Sequence, residues 1–439
     1  MLISDELPCI ILPSGPTFRV ATGRDRWSKT ATPALLASFD CVSRVRHYKR
    51  ANLEAAWKEV AANKGSAGVD HVTVKQFGQR REAELSALEE ALRSGRYEPQ
   101  AIRRAYIPKP GSRERRPLGI PTVRDRVVEA ATLHVLEPIF EKEFASSSYG
   151  FRPGRGAKDA LREADRELRD GYGYVVDADL EAYFDTIPHG ELMVRVRERV
   201  ADGRVLDMVE AFLKQGVMER GEIEEGKKGT PQGGVISPLL ANIYLDPLDH
   251  LMEEKGYTMI RYADDLVILC RTEEEAGKAL AELRAWVEAA GLKLHAEKTR
   301  IVNMKAMGSG FDFLGYHFER TRRGKLGRWP RRKSMRKFKD TIRSHTHRAN
   351  GKSLNEIIAR INVESRGWFE YFKHSNRTTF VAMDVWVRQR LRGILRKRRS
   401  GHGRARGRDY QRWPNAFFAR QGLFSMVEAH VMACQSVYR

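Results

Sequence analysis

The chain has 439 residues, a formal net charge of +21 and only 4 cysteines. Its length accommodates several domains and an ample core, and no apolar run reaches the roughly 20 residues that a membrane-spanning helix needs, so no membrane partner is expected. Cys9, Cys41, Cys270 and Cys434 show no paired spacing, which argues against a zinc module or a disulfide framework and for a reducing interior. The 78 Lys and Arg against 57 Asp and Glu leave an excess that repels itself unless a polyanion neutralises it. Nucleic acid held along an extended phosphate-binding track is the expected partner.

In chain order, residues 1–45 carry no readable motif. Asp5 and Glu6 precede the short apolar run 9–12, which argues against a secretory signal. Segment 106–126 contains a Pro/Gly-rich loop in which Lys109 and Arg116 offer charge and donors suited to phosphate oxygens; the plainer alternative is a solvated basic loop. The β-prone run 174–185 ends in a carboxylate cluster that includes Asp177, Asp179 and Asp185. Asp177 and Asp185 read as structural or solvated, on the argument that period-two alternation turns neighbouring strand residues to opposite faces. Gln232, between Thr230-Pro231 and Gly233-Gly234, sits where backbone can approach a ligand closely, ahead of a run at 238–249 with helical apolar spacing.

The most informative stretch is 257–270, where two β-prone runs flank a tight turn tipped by Asp264 and Asp265. Both runs are largely apolar, so the hairpin belongs in a core with charges at its end. Adjacent charges there are costly unless a divalent cation offsets them. With the carboxylates of the 174–185 run, they supply the donors for two-metal phosphoryl transfer, which needs two ions about 3.5–4 Å apart. Asp179 and Asp264 are the expected shared ligands, with Asp265 beside them and the Leu180 carbonyl as a backbone ligand.

Farther on, Leu354, Ile357, Ile358, Ile361, Trp368, Tyr371 and Phe372 recur at helical spacing, the aromatics reading as core rather than as base-stacking platforms. A second helix is expected over 380–395. The run 388–412 then contains Asp409 as its only acid, and Arg388, Arg392, Arg396, Lys397, Arg398, Arg399, Arg404, Arg406 and Arg408 are its candidate nucleic-acid contacts.

Taken together, these blocks resemble the reverse transcriptases encoded by mobile group II introns. The resemblance rests on NKGSAGVD at 63–70, YIPKPGSRERRPLGIPTVRDR at 106–126, SYGFRPG at 148–154, the Asp179 block, GTPQGGVISP at 229–238, the Asp264 hairpin, GLKLHAEKT at 291–299 and FDFLGY at 311–316, all in the family's order. It implies an α+β, right-hand polymerase: fingers and a palm with an antiparallel sheet over 51–320, an α-helical thumb or maturase domain over 321–399, and a basic C-terminal DNA-binding region over 400–439. Residues 1–50 remain an unassigned extension.

By the same resemblance, Lys109 and Arg116 neutralise the incoming triphosphate and Gln232 positions the nucleotide. Phe184 is an aromatic gate against a 2′-hydroxyl, with a simple core aromatic as the plainer reading, and Lys298 protonates the leaving pyrophosphate. The implied cofactor is a pair of Mg²⁺ ions, with Mn²⁺ as a substitute. The implied partners are intron RNA as template, a DNA target or primer, and dNTPs. The implied setting is the bacterial cytoplasm, on the nucleoid when bound to DNA, with an organelle as the lesser alternative. The activity would be RNA-directed DNA synthesis, coupled to maturase assistance in splicing and to intron mobility by target-primed reverse transcription. The nine residues after His430 leave no room for the HNH endonuclease of fuller members, so second-strand cleavage is not expected. Two alternatives differ in kind: the same polymerase freed from its intron for DNA repair, phage defence or spacer acquisition, and an RNA-binding splicing factor whose polymerase has decayed.

Overall fold

The computed structural model describes residues 48–108, 115–224, 226–349 and 351–436; the extension up to residue 47 and Lys109 lie outside the described residues. Its strands are β1 (Ile102–Pro108), β2 (Arg115–Ile120), β3 (Tyr174–Asp179), β4 (Val217–Glu219), β5 (Glu222–Glu224), β6 (Thr258–Tyr262), β7 (Asp265–Cys270), β8 (Arg300–Asn303), β9 (Gly310–Phe313), β10 (Tyr316–Arg320) and β11 (Leu326–Pro330). The chain forms two compact units.

The first unit comprises residues 48–104, 119–143 and 188–243. Helix Arg50–Asn63 places Leu53, Ala56, Trp57 and Val60 on one face, as a 3.6-residue period requires, and buries them. It packs along helix Val123–Phe140, and Asn52 Nδ2 donates to the Ala131 carbonyl at 2.9 Å. Trp57 stacks on Phe77 with ring centroids 4.8 Å apart. The start of β1 runs parallel to β4, with Ile102 opposite Val217, and β4 pairs antiparallel with β5.

The second unit comprises residues 105–118, 144–187 and 244–436. Its central sheet has the order β6-β7-β3-β8, with every neighbouring pair antiparallel. Helices Ala157–Arg169 and Glu273–Ala289 pack on it. Covered on both faces, β7 buries Leu266 through Cys270 completely, which is why its sequence is a continuous apolar run instead of an alternating one. Helix Glu273–Ala289 starts cleanly: Thr272 accepts from the Glu275 amide, and Glu273, Glu274 and Glu275 occupy its positive end.

A second sheet, β9-β10-β11, follows, with Phe311 and Phe318 stacked 5.2 Å apart. Helix Leu354–Phe372 begins with a reciprocal cap between Ser353 and Glu356, and helix Arg377–Arg398 follows it. The expected boundaries at 320 and 400 fall within paired or packed structure. The first cuts between β10 and β11, which pair from Tyr316–Pro330 to Arg320–Leu326. The second divides one hydrophobic core, in which Ile357, Ile361, Phe380, Leu391 and Ile394 pack with Trp413, Phe418 and Met426. Phe372 is buried, and Trp368 and Tyr371 partly buried, in the core around Phe311, Tyr316 and Phe318, and Trp368 also packs against the core of the helices. No helix among the described residues is long and apolar enough to cross a membrane.

Candidate active site

Strand register creates the site. Asp179, the last residue of β3, lies directly opposite Asp265, the first residue of β7. Residues facing each other across an antiparallel pair share a sheet face, so the two carboxylates converge from different strands. Asp264 lies in the two-residue turn between Tyr262 and Asp265, where Ala263 adopts a left-handed φ of 57°. Glycine is usual at such a position.

Burial pushes the Asp265 carboxyl up to about 7, reinforced by the charges of Asp264, Asp177 and Asp179. Burial also raises Asp264, with Asp179 adding to the rise and Arg116 and Lys298 opposing it. Burial is the larger part of both shifts, and the neighbouring carboxylates add to it. Lys298 Nζ donates to Asp179 Oδ2 at 2.6 Å. An all-oxygen, crowded, anionic donor set of this kind fits a hard divalent cation. Among the described residues, however, no three His, Cys, Asp or Glu side chains close around an ion by themselves. The coordination must be completed from elsewhere. Around Leu180, the ladder bonds run from the Glu181 amide to the Lys293 carbonyl and from the His295 amide to the Asp179 carbonyl. The alternation of an antiparallel ladder turns the Leu180 carbonyl to the other side.

Asp177 corrects an argument made from sequence. Two residues before Asp179, it occupies the same face, so alternation does not separate it from the cluster. What distinguishes it is Arg300, whose Nε lies 3.4 Å from Asp177 Oδ2. Phe184 meets the edge of Phe151, with centroids 6.4 Å apart, and abuts the buried Tyr183. Gln232 belongs to the first unit, where its carbonyl accepts from the Gly119 amide at 2.7 Å.

The basic C-terminal run divides into two kinds of residue. Arg392 is buried; its Nε donates to the Trp413 carbonyl at 2.8 Å, and its guanidinium lies over the Tyr410 and Phe418 rings. Arg396 pairs with Asp409 at 2.5 Å, and Arg388 lies 3.7 Å from the buried Asp384. Arg392 and Arg396 are engaged in holding the C-terminal segment, whereas Arg388 pairs within its own helix; of the three only Arg392 is buried, and its expected role as a nucleic-acid contact is corrected, since its donors are committed to internal acceptors. Lys397, Arg398, Arg399, Arg404, Arg406 and Arg408 are exposed.

Sequence reading passed over the group that holds the turn bearing Asp264. Arg261 is fully buried, with Nε 2.7 Å from Asp249 Oδ1 and Nη2 2.8 Å from Ser148 Oγ. Its Nη1 donates to the Ala263 carbonyl at 3.1 Å. The available signal was an arginine inside an apolar strand, which must find an acid. In the first unit, the buried Glu129 similarly accepts from the Val235 and Ile236 amides and secures the loop after Gln232.

Residues 107–318 match the reverse transcriptase (RNA-dependent DNA polymerase) family, and residues 335–413 match the group II intron maturase-specific domain. Protein YkfC of Escherichia coli (strain K12) is 34% identical over 335 residues, covering 66% of this chain and 87% of that protein. The group II intron-encoded protein LtrA of Lactococcus lactis subsp. cremoris is 38% identical over 196 residues, 44% of this chain; the match spans only 32% of LtrA. A chain of a partial Cas6-RT-Cas1–Cas2 complex aligns with a TM-score of 0.36 and 25% identity, over 55% of this chain and 42% of that one, too distant a likeness to carry an argument. The chain belongs to the group II intron reverse transcriptases that carry a maturase domain. It is an RNA-directed DNA polymerase, with fingers and palm and a helical thumb, of a family that uses divalent metal ions.

Proposed function

We propose that this chain extends a DNA primer on intron RNA, using dNTPs, and that it also binds that RNA to assist splicing and intron mobility. The observation that carries the catalytic half is the Asp179–Asp265 register with Asp264 at the adjoining turn. Asp179, Asp264 and Asp265, with the Leu180 carbonyl, would hold the ions. A bound Mg²⁺ pair, or Mn²⁺ in its place, eases deprotonation of the primer 3′-hydroxyl and neutralises the departing pyrophosphate.

The chain's own groups supply the rest. As the primer 3′-oxygen bonds to the α-phosphorus, the bond to the bridging oxygen breaks and pyrophosphate leaves. Lys298 Nζ, poised on Asp179 Oδ2, holds a proton for that leaving group. Arg116, near enough to act on Asp264, draws the triphosphate toward the carboxylates together with Lys109. Phe184 excludes a ribose 2′-hydroxyl by bulk, and Gln232 orients the nucleotide. The exposed Lys397, Arg398, Arg399, Arg404, Arg406 and Arg408 offer phosphate contacts for RNA.

The test is the double substitution Asp264→Ala plus Asp265→Ala, assayed for primer extension and for splicing of a group II intron transcript. Extension should fall by at least about a thousandfold, the scale of removing charge-stabilising groups from an active site. Splicing assistance should persist, because the RNA-binding surface does not use these carboxylates. Surviving extension would overturn the assignment.

A further inference from the structure

Phe151 combines three properties that a simple core aromatic does not. Its backbone has a left-handed φ of 56°, which a bulky L-residue seldom adopts. Its side chain is exposed, with relative accessibility of 49%. Its ring nonetheless lies between two site residues, 6.4 Å from Phe184 at an interplanar angle of 85° and 6.2 Å from Tyr262 at 44°.

The segment carrying it is locked to the catalytic hairpin. The Tyr149 amide donates to the Arg261 carbonyl at 2.9 Å, and the Arg261 amide donates to the Ser147 carbonyl at 2.9 Å. Gly150 leaves no room for a side chain: a Cβ there would stand 2.4 Å from the Ala263 nitrogen. On the other flank, Arg152 Nη1 donates to the Ala145 and Ser148 carbonyls at 2.7 and 3.0 Å. Backbone fixed on both sides holds the unfavourable φ in place, so the ring of Phe151 has a defined position relative to the turn bearing Asp264. Backbone strain kept beside a catalytic turn is a pointer to function, because nothing in core packing requires it for a half-exposed ring.

We propose that Phe151 is a positioning residue for sugar selection, fixing the tilt of the Phe184 ring through their edge-to-face contact. The inference rests on Phe184 being the gate against ribose. Edge-to-face contact restrains the Phe184 ring. Without Phe151, Phe184 can turn aside and admit a 2′-hydroxyl, while the carboxylates keep their places through β3 and β7.

The experiment measures kcat/KM for dNTP and rNTP incorporation by the full chain carrying Phe151→Ala, Phe151→Tyr, Phe184→Val or the Phe151→Ala/Phe184→Val pair, together with each variant's melting temperature. Phe184→Val should collapse discrimination. Phe151→Ala should lower it by about tenfold, the scale of one apolar contact in a selective pocket, mainly through a gain with rNTPs. Phe151→Tyr should restore it, and the double variant should discriminate no worse than Phe184→Val alone, since coupled residues are non-additive. An unchanged ratio in Phe151→Ala, beside a collapsed one in Phe184→Val, overturns the role of Phe151. An unchanged ratio in Phe184→Val overturns the gate reading and the inference with it. A Phe151→Ala variant that loses dNTP and rNTP incorporation equally, with a lowered melting temperature, also overturns it in favour of a purely structural role.

Discussion

Arg261 and Asp249 are both wholly buried, and their pairing ties helix Ser237–Glu254 to the strand that precedes the turn bearing Asp264. Removing one partner strands the other charge without water. Asp249→Ala should therefore destabilise the chain by about 3–5 kcal/mol in urea titrations. Replacing both at once, Arg261→Met with Asp249→Leu, should recover most of that stability while primer extension stays depressed. The recovered fold would still lack the donor to the Ala263 carbonyl. Glu129 offers a pH test. Burial pushes its carboxyl from 4.5 to about 7, so the folded state keeps a proton that the unfolded chain has already lost. Its favourable contribution is complete below pH 4.5 and is lost as pH rises through about 7, at no more than about 1.4 kcal/mol per unit. Glu129→Gln should flatten the denaturation midpoint across that window, and an unchanged slope would contradict it. Among single residues, the placement of Asp179, Asp264 and Asp265 was legible from the apolar β-prone runs beside them. Arg261, Glu129 and Phe151 were not, since their roles depend on contacts between segments more than 100 residues apart or on a backbone angle.

At the scale of elements, β-propensity located the central strands, though the run read over 174–185 leaves the sheet after Asp179, and periodicity located helix Leu354–Phe372. Boundaries between larger pieces were less legible. The resemblance implied a separate basic region over 400–439, yet Trp413, Phe418 and Met426 complete a core with Ile357, Phe380 and Leu391. Phe418, fully buried among Arg392 and the Phe417 ring, is the sharpest case. Phe418→Ala should cost about 3–5 kcal/mol by thermal or urea unfolding. A loss below about 1 kcal/mol would mean that this segment folds apart from the preceding helices. The same geometry explains why composition misjudged Arg392: counting charges cannot distinguish a guanidinium on a carbonyl from one facing solvent.

For the molecule as a whole, the net charge of +21 makes ionic strength a primary variable in RNA binding. The logarithm of affinity for a group II intron transcript should fall linearly with the logarithm of KCl concentration. Lys397→Ala and Arg399→Ala should each reduce that slope by about 0.7, the value per phosphate for single strands. Arg392→Ala should leave the slope unchanged and lower the melting temperature. Equal slopes for all three variants would contradict the division of the basic run into inward and outward residues. The shared packing of Trp413, Phe418 and Met426 with Phe380 and Leu391 carries a consequence for anyone shortening this enzyme. Trimming at residue 400, where sequence invites a cut, would remove a keystone and leave greasy helices open to aggregation. A miniaturised version would need those apolar neighbours redesigned first.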